Sequence, residues 1–96
     1  MADSRVVRNE AESRYEVSVD GSLAQLVYRE VGDRLALVHT EVPDELGGQG
    51  LGGELARYAL DDAMTRNLIV VPYCPFVQSW LKKHPEIAER QPITWP

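Results

Sequence analysis

Two reactive side chains occupy positions where chemistry is conceivable, His39 and Cys74. An imidazole exchanges protons near neutral pH, and a thiolate is a strong nucleophile. Cys74 stands where an apolar run, Leu68 to Val71, gives way to a helix opened by Pro75, a place where the helix dipole favours thiolate. His39 lies in the run Leu35 to Val42, and strict alternation puts it on the same face as Leu35 and Leu37. Taken singly, a lone cysteine is more often an inert small hydrophobe, and a lone histidine on an apolar face a satisfied core residue. A third feature needs no reactive side chain: DELGGQGLGGEL, residues 44–55, holds five glycines in the seven positions from Gly47 to Gly53. Glycine disfavours helix, so this density at a helix start needs a reason. Bare N–H groups at a helix N-terminus, aided by its dipole, form an anion site that a pyrophosphate would fit. Asp44 and Glu45 must then point away from that anion.

Gly48, Gly50 and Gly53 satisfy the dinucleotide pattern G-x-G-x-x-G, but its context is missing. That pattern belongs to the first turn of a parallel βαβ unit with an acid at the end of the next strand, where this chain has Pro72, Tyr73 and Cys74. No Lys-Ser or Lys-Thr follows, which excludes a nucleoside-triphosphate loop.

The elements that must position these groups follow from periodicity. Tyr15, Val17 and Val19 alternate with polar residues, and Asp20-Gly21 supplies a hairpin turn. A run from Leu23 to Tyr28, a turn at Gly32-Asp33 and the run Leu35 to Val42, ended by Pro43, complete a three-stranded antiparallel meander. The period then changes: Leu51, Leu55, Ala59 and Ala63 recur every fourth residue, giving an amphipathic helix from Gly50 to Arg66 with Asn67 as its cap. Leu68 to Val71 reads as a strand buried on both faces and stopped by Pro72. Phe76, Val77, Trp80 and Leu81 form the apolar stripe of a second helix that ends at His84-Pro85. The expected order is β-β-β-α-β-α, an α/β (α+β) domain with a twisted, mostly antiparallel sheet and two main helices. Residues 1–12 are polar and patternless and read as a flexible N-terminus, residues 13–90 as the single domain, and residues 91–96 as a tail in which Trp95 has no assigned place.

Composition limits the partners. A chain of 96 residues with a net charge of -5 and scattered Lys and Arg lacks the basic patch that nucleic acid requires. No segment approaches a membrane span, the first residues form no signal-like apolar run, and one cysteine permits no internal disulfide, so a reducing, cytoplasmic location is expected. No His, Cys or acid spacing resembles a metal site, and no dedicated interface is apparent, which fits a monomer or weak oligomer.

A proline-ended strand, a loop of form x-G-x-G-x-G/A, a long amphipathic helix and a buried strand resemble the acetyl-CoA-binding core of the GNAT superfamily of acyl-CoA N-acyltransferases. HTEVPDELGGQGLGGELARYALDDA with VVPYCPFVQSWLKKHPE is similar to the short GNAT-like predicted N-acetyltransferases of YjdJ type, over residues 14–90. The resemblance implies a minimal GNAT-like fold, acetyl-CoA (coenzyme A) as cofactor, and a primary amine of a protein lysine or small molecule as acceptor. It implies that the backbone of Gly47, Gly48, Gln49, Gly50, Leu51 and Gly52 holds the pyrophosphate, and that the strand end at Glu41 and Val42 pairs with the pantetheine arm. Gly47 stands where the superfamily has Gln or Arg, and Asp20-Gly21 turns the chain where most members insert two acceptor-site helices.

The same resemblance points to His39 and Cys74 as the active-site pair, facing each other across the thioester. Two mechanisms compete: direct attack by the amine with His39 as general base, or deprotonation of Cys74 by His39 and transfer through an acetyl-cysteine. Tyr73 could protonate the departing CoA thiolate, although alternation points it away from Cys74. Lys82, Lys83 and His84 read as solvated or helix-end residues and Trp80 as core. The reading from a different class is a non-catalytic acyl-CoA-binding module.

Overall fold

The computed structural model describes residues 5–96. Strands β1 (Val7–Asn9), β2 (Arg14–Val19), β3 (Ser22–Val31) and β4 (Arg34–Glu41) are antiparallel neighbours in sequence order, and β5 (Ile69–Pro72) joins the far edge of β4 in parallel. The tight connection from β2 to β3 follows from its residues: Asp20 (φ 51°) and Gly21 (φ 83°) both take the left-handed conformation that suits a two-residue hairpin. No helix is inserted there.

Alternation along β2, β3 and β4 sends Tyr15, Val17, Ala24, Leu26, Leu35 and Leu37 to one face, where all are buried. Helix α1 (Leu51–Thr65) covers that inner face with Leu55, Ala59, Leu60 and Ala63. Its small residues at four-residue spacing let the helix lie close to the strands. The helix ends where Asn67 takes φ 57°, the expected cap. Helix α2 (Pro75–Lys83) packs beside the start of α1 through Val77, Trp80 and Leu81, and the short α3 (Pro85–Arg90) adds Ile87 to the core. The order is therefore β-β-β-β-α-β-α-α, an α+β fold whose mostly antiparallel sheet carries its two main helices as expected.

A polar clasp ties sheet to helix. The Tyr15 hydroxyl donates to Asp62 at 2.8 Å, and Arg66 donates to Asp62 at 2.9 Å and to Glu30 at 2.8 Å. Burial, reinforced by the hydrogen bond to Asp62, pushes the Tyr15 phenol well above its ordinary range. Tyr15 also stacks obliquely on Tyr28, with ring centroids 4.9 Å apart.

Both ends depart from the sequence expectation. Residues 1–4 lie outside the described residues, but within the stretch expected to be patternless, Val6 is 2% exposed and Val7–Asn9 pair with β2 as β1. Three residues are too few for alternation to be visible. At the other end, the tail expected beyond residue 90 is pinned to the sheet: Gln91 is buried and donates to Leu68 O at 2.7 Å, and Thr94 N donates to Val70 O at 2.9 Å.

Candidate functional site

Four of the five glycines in the run have a local explanation. Gly48 (φ 80°) and Gly50 (φ 72°) are left-handed, a conformation that costs a side chain roughly 1–2 kcal/mol. A Cβ on Gly52 would sit 2.8 Å from Phe76 Cζ and one on Gly47 would sit 3.1 Å from Asp44 O, whereas one on Gly53 would make only an ordinary contact with Trp80 Nε1 at 3.5 Å. Most of the glycine density is thus accounted for by turn geometry and by the close approach of Asp44 O and Phe76. The donors at the helix start are open. Gly50 caps α1 without a side chain, and the first amide with an intrahelical acceptor is Glu54 N, 3.1 Å from Gly50 O. The N–H groups of Leu51, Gly52 and Gly53 are left without acceptors among the described residues, at the positive end of a 15-residue helix.

Of the two acids that must point away, Asp44 is exposed and Glu45 is engaged elsewhere. Glu45 accepts from the Ser22 hydroxyl at 2.9 Å across the β2–β3 turn, and its own backbone amide, with that hydroxyl, holds its carboxyl below the usual range. Glu54 is paired with Arg5 at 2.7 Å. Gln49 is exposed at the tip of the loop.

A fork between two parallel strands lies beside this helix start. Pairing of β4 with β5 stops at Leu37 opposite Pro72, while β4 continues to Glu41. Leu37 O accepts from both Tyr73 N and Cys74 N at 3.0 Å, which draws the chain away from β4 into α2. From Val38 to Glu41 the edge of β4 that faces away from β3 has no strand partner, so its backbone is available to an extended ligand.

A β-bulge changes which side chains face this fork. Tyr28 pairs with Leu37 but Val27 pairs with His39, so Val38 is an extra residue and the alternation of β4 shifts phase. His39 therefore does not share the face of Leu35 and Leu37, contrary to the expectation from strict alternation. It stands opposite Val27 on the outer face, 60% exposed, with Nε2 3.6 Å from Glu41 Oε2. Thr40, opposite buried Leu26, takes the inward place, and its hydroxyl meets Cys74 Sγ at 3.3 Å. Cys74 is buried at the N-cap of α2. His39 and Cys74 thus lie on opposite sides of the fork and are not brought into contact. Thr40 had no signal in the sequence, because only the bulge turns it inward.

Tyr73 is 56% exposed on the outer face, pointing away from Cys74 as alternation implied. His84 caps α2 as read: its Nδ1 lies 2.8 Å from Trp80 O and its ring stacks on Trp80 at 4.0 Å.

The one parallel pair of the mixed sheet parts beside a glycine-started helix, which places the unpaired first-turn amides next to a strand edge that has no partner among the described residues. The chain belongs to the GCN5-related N-acetyltransferase family, whose sequence model matches residues 14–90. It is similar to Protein NATD1 of Mus musculus, 34% identical over 84 residues that cover 84% of this chain and 76% of that one. The human NATD1 matches at the same identity, covering 84% of this chain and 74% of the relative. Its fold is similar to the NMR solution structure of a GCN5-like protein from Staphylococcus aureus, with a TM-score of 0.72, 27% identity, and coverage of 100% of this chain and 93% of the other.

Proposed function

We propose that this chain is an acetyl-CoA-dependent N-acetyltransferase acting on a primary amine. The observation that carries the reading is the set of unpartnered amides at Leu51, Gly52 and Gly53 beside the free edge of β4. Acetyl-CoA supplies an activated thioester. The loop from Gly47 to Gly52 would hold its pyrophosphate through backbone amides, which need no side chain where Gly47 replaces the Gln or Arg, although Gly47 N itself already donates to Asp44 O at 3.0 Å. The edge at Glu41 and Val42 would pair with the amides of the pantetheine arm.

His39 is the general base of this proposal: it accepts the proton that the amine nitrogen must lose, and its Nε2 lies 3.6 Å from Glu41 Oε2. Direct transfer is favoured over a relay through Cys74, because the thiol is engaged by Thr40 and His39 lies on the other face. Cys74 then lines the fork as a small packing residue.

Titration calorimetry with CoA tests the shared premise of enzyme and binding module: a dissociation constant weaker than about 1 mM would remove both. With CoA bound, turnover of an amine panel separates them. His39→Ala should lower kcat at least ~100-fold with CoA affinity unchanged. Intact mass spectrometry after mixing with acetyl-CoA should find Cys74 unmodified; a transient acetyl adduct would restore the relay.

A further inference from the structure

The outer face of the sheet, opposite α1, carries a groove of about 590 Å³. Its floor is apolar, built from Ala36, Val38, Val71 and Tyr73, and Arg29 and Arg34 stand at its side. Strand pairing places both guanidiniums on this face: Arg29 lies opposite Ala36, and Arg34 opposite Val31. Neither arginine has an ion pair or hydrogen-bond partner for its side chain among the described residues. Every other described arginine has a partner. Arg5, Arg8, Arg14 and Arg66 pair with acids, Arg57 lies over the Trp80 ring, and Arg90 donates to Glu86 O. In a chain with an excess of acids, two unpaired cations beside one apolar groove are a specific feature.

The same face carries the opposite polarity farther along β4. His39 and Glu41 stand there, and Val27, opposite His39, is two residues from Arg29. Two residues of strand span about 7 Å, so an acid-and-imidazole end and a doubly cationic end are separated by that distance or more, with Val38 and Ala36 between them. A bare alkylamine would leave the arginines unmatched. An α-amino acid using its α-amine is too short, since its ammonium and carboxylate adjoin.

We infer that the acceptor is an amine joined by an apolar stem to a carboxylate about 7 Å away, with the amine at His39 and Glu41 and the carboxylate at Arg29 and Arg34. The fate of the amine rests on the acetyltransferase reading above; the occupancy of the groove does not. Binding at the groove can therefore be measured without CoA.

The probe is ε-aminocaproate, with hexylamine as the control that lacks the carboxylate. Titrated into the protein alone and followed by amide chemical shifts, ε-aminocaproate should give saturable changes at Val38, Tyr73 and Thr94 and bind roughly fivefold or more tightly than hexylamine. The Arg29→Gln, Arg34→Gln double variant should erase that difference, and Arg29→Lys with Arg34→Lys should restore part of it. Both side chains are exposed, so thermal melting should stay unchanged and separate lost recognition from lost folding. No saturable shift up to roughly 10 mM, equal affinity for the two probes, or a preference that survives the double variant would overturn the inference. If ε-aminocaproate binds as described and CoA does not, the acetyltransferase reading fails and the groove assignment stands. If CoA binds and ε-aminocaproate does not, the groove assignment fails alone.

Discussion

The most informative single residues are those whose side chains are absent or displaced. Gly50 caps α1 at φ 72° with open space around its missing Cβ, so the obstacle to substitution is backbone strain and not a clash. Gly50→Ala should cost about 1 kcal/mol of stability in a denaturant titration and weaken CoA binding, because the strained cap no longer presents the first-turn amides. The neighbouring Gly52 behaves differently. Its Cβ would meet the end of the Phe76 ring, which is partly exposed and can swing outward, so Gly52→Ala should be tolerated better than Gly50→Ala. Tyr15 supplies the pH-sensitive contact. Its folded phenol holds its proton above the unfolded value of 10.0, so its stabilising contribution is complete below that pH and is lost as pH rises beyond it. Tyr15→Phe should therefore cost about 1 kcal/mol near neutrality, through the lost hydrogen bond to Asp62, and should flatten the alkaline decline in stability above pH 10.

At the scale of elements, the bulge in β4 decides which residues serve the fork. Deleting Val38 would leave Val27 opposite His39 and Leu26 opposite Thr40, so both faces would be preserved while the kink disappeared. Such a variant should fold, as judged by circular dichroism, yet bind CoA roughly tenfold more weakly, because the local bend and twist of the bulge at the unpaired edge of β4 would be lost. This is also where sequence and structure part company. The hairpin at Asp20-Gly21, the four-residue period from Leu51 to Ala63 and the helix opened by Pro75 were all legible, since turn chemistry and periodicity are local. The glycine loop was legible as a helix entrance, and four of its glycines answer to backbone turns and to the close approach of Asp44 O and Phe76. The side on which His39 emerges was not legible. A single extra residue reverses every later side chain in a strand, and nothing in LALVHTEV marks Val38 as that residue. The contact of Thr40 with Cys74 was hidden for the same reason.

For the whole molecule, the sheet has one face buried under α1 and α2 and one face open, and the open face carries His39, Tyr73 and the paired arginines of the groove. Val6 to Asn9 and Gln91 to Thr94 pack into the core or pair with the sheet. Truncation through Asn9 removes β1 and the buried Val6 and should cost about 2 kcal/mol or more in a thermal or denaturant melt, where a truly frayed segment would cost nothing. The return of the C-terminus to β5 has a separate consequence. Val70 pairs with Ile93 in parallel, so the otherwise bare margin of the last strand is occupied by the chain's own end, and the opposite margin is a strand of only three residues. Neither margin offers a long template to a second molecule. A protein that leaves an apolar groove open on its sheet is thereby guarded against strand-by-strand aggregation, and removal of residues 92–96 should expose that vulnerability as concentration-dependent turbidity long before the fold itself is lost.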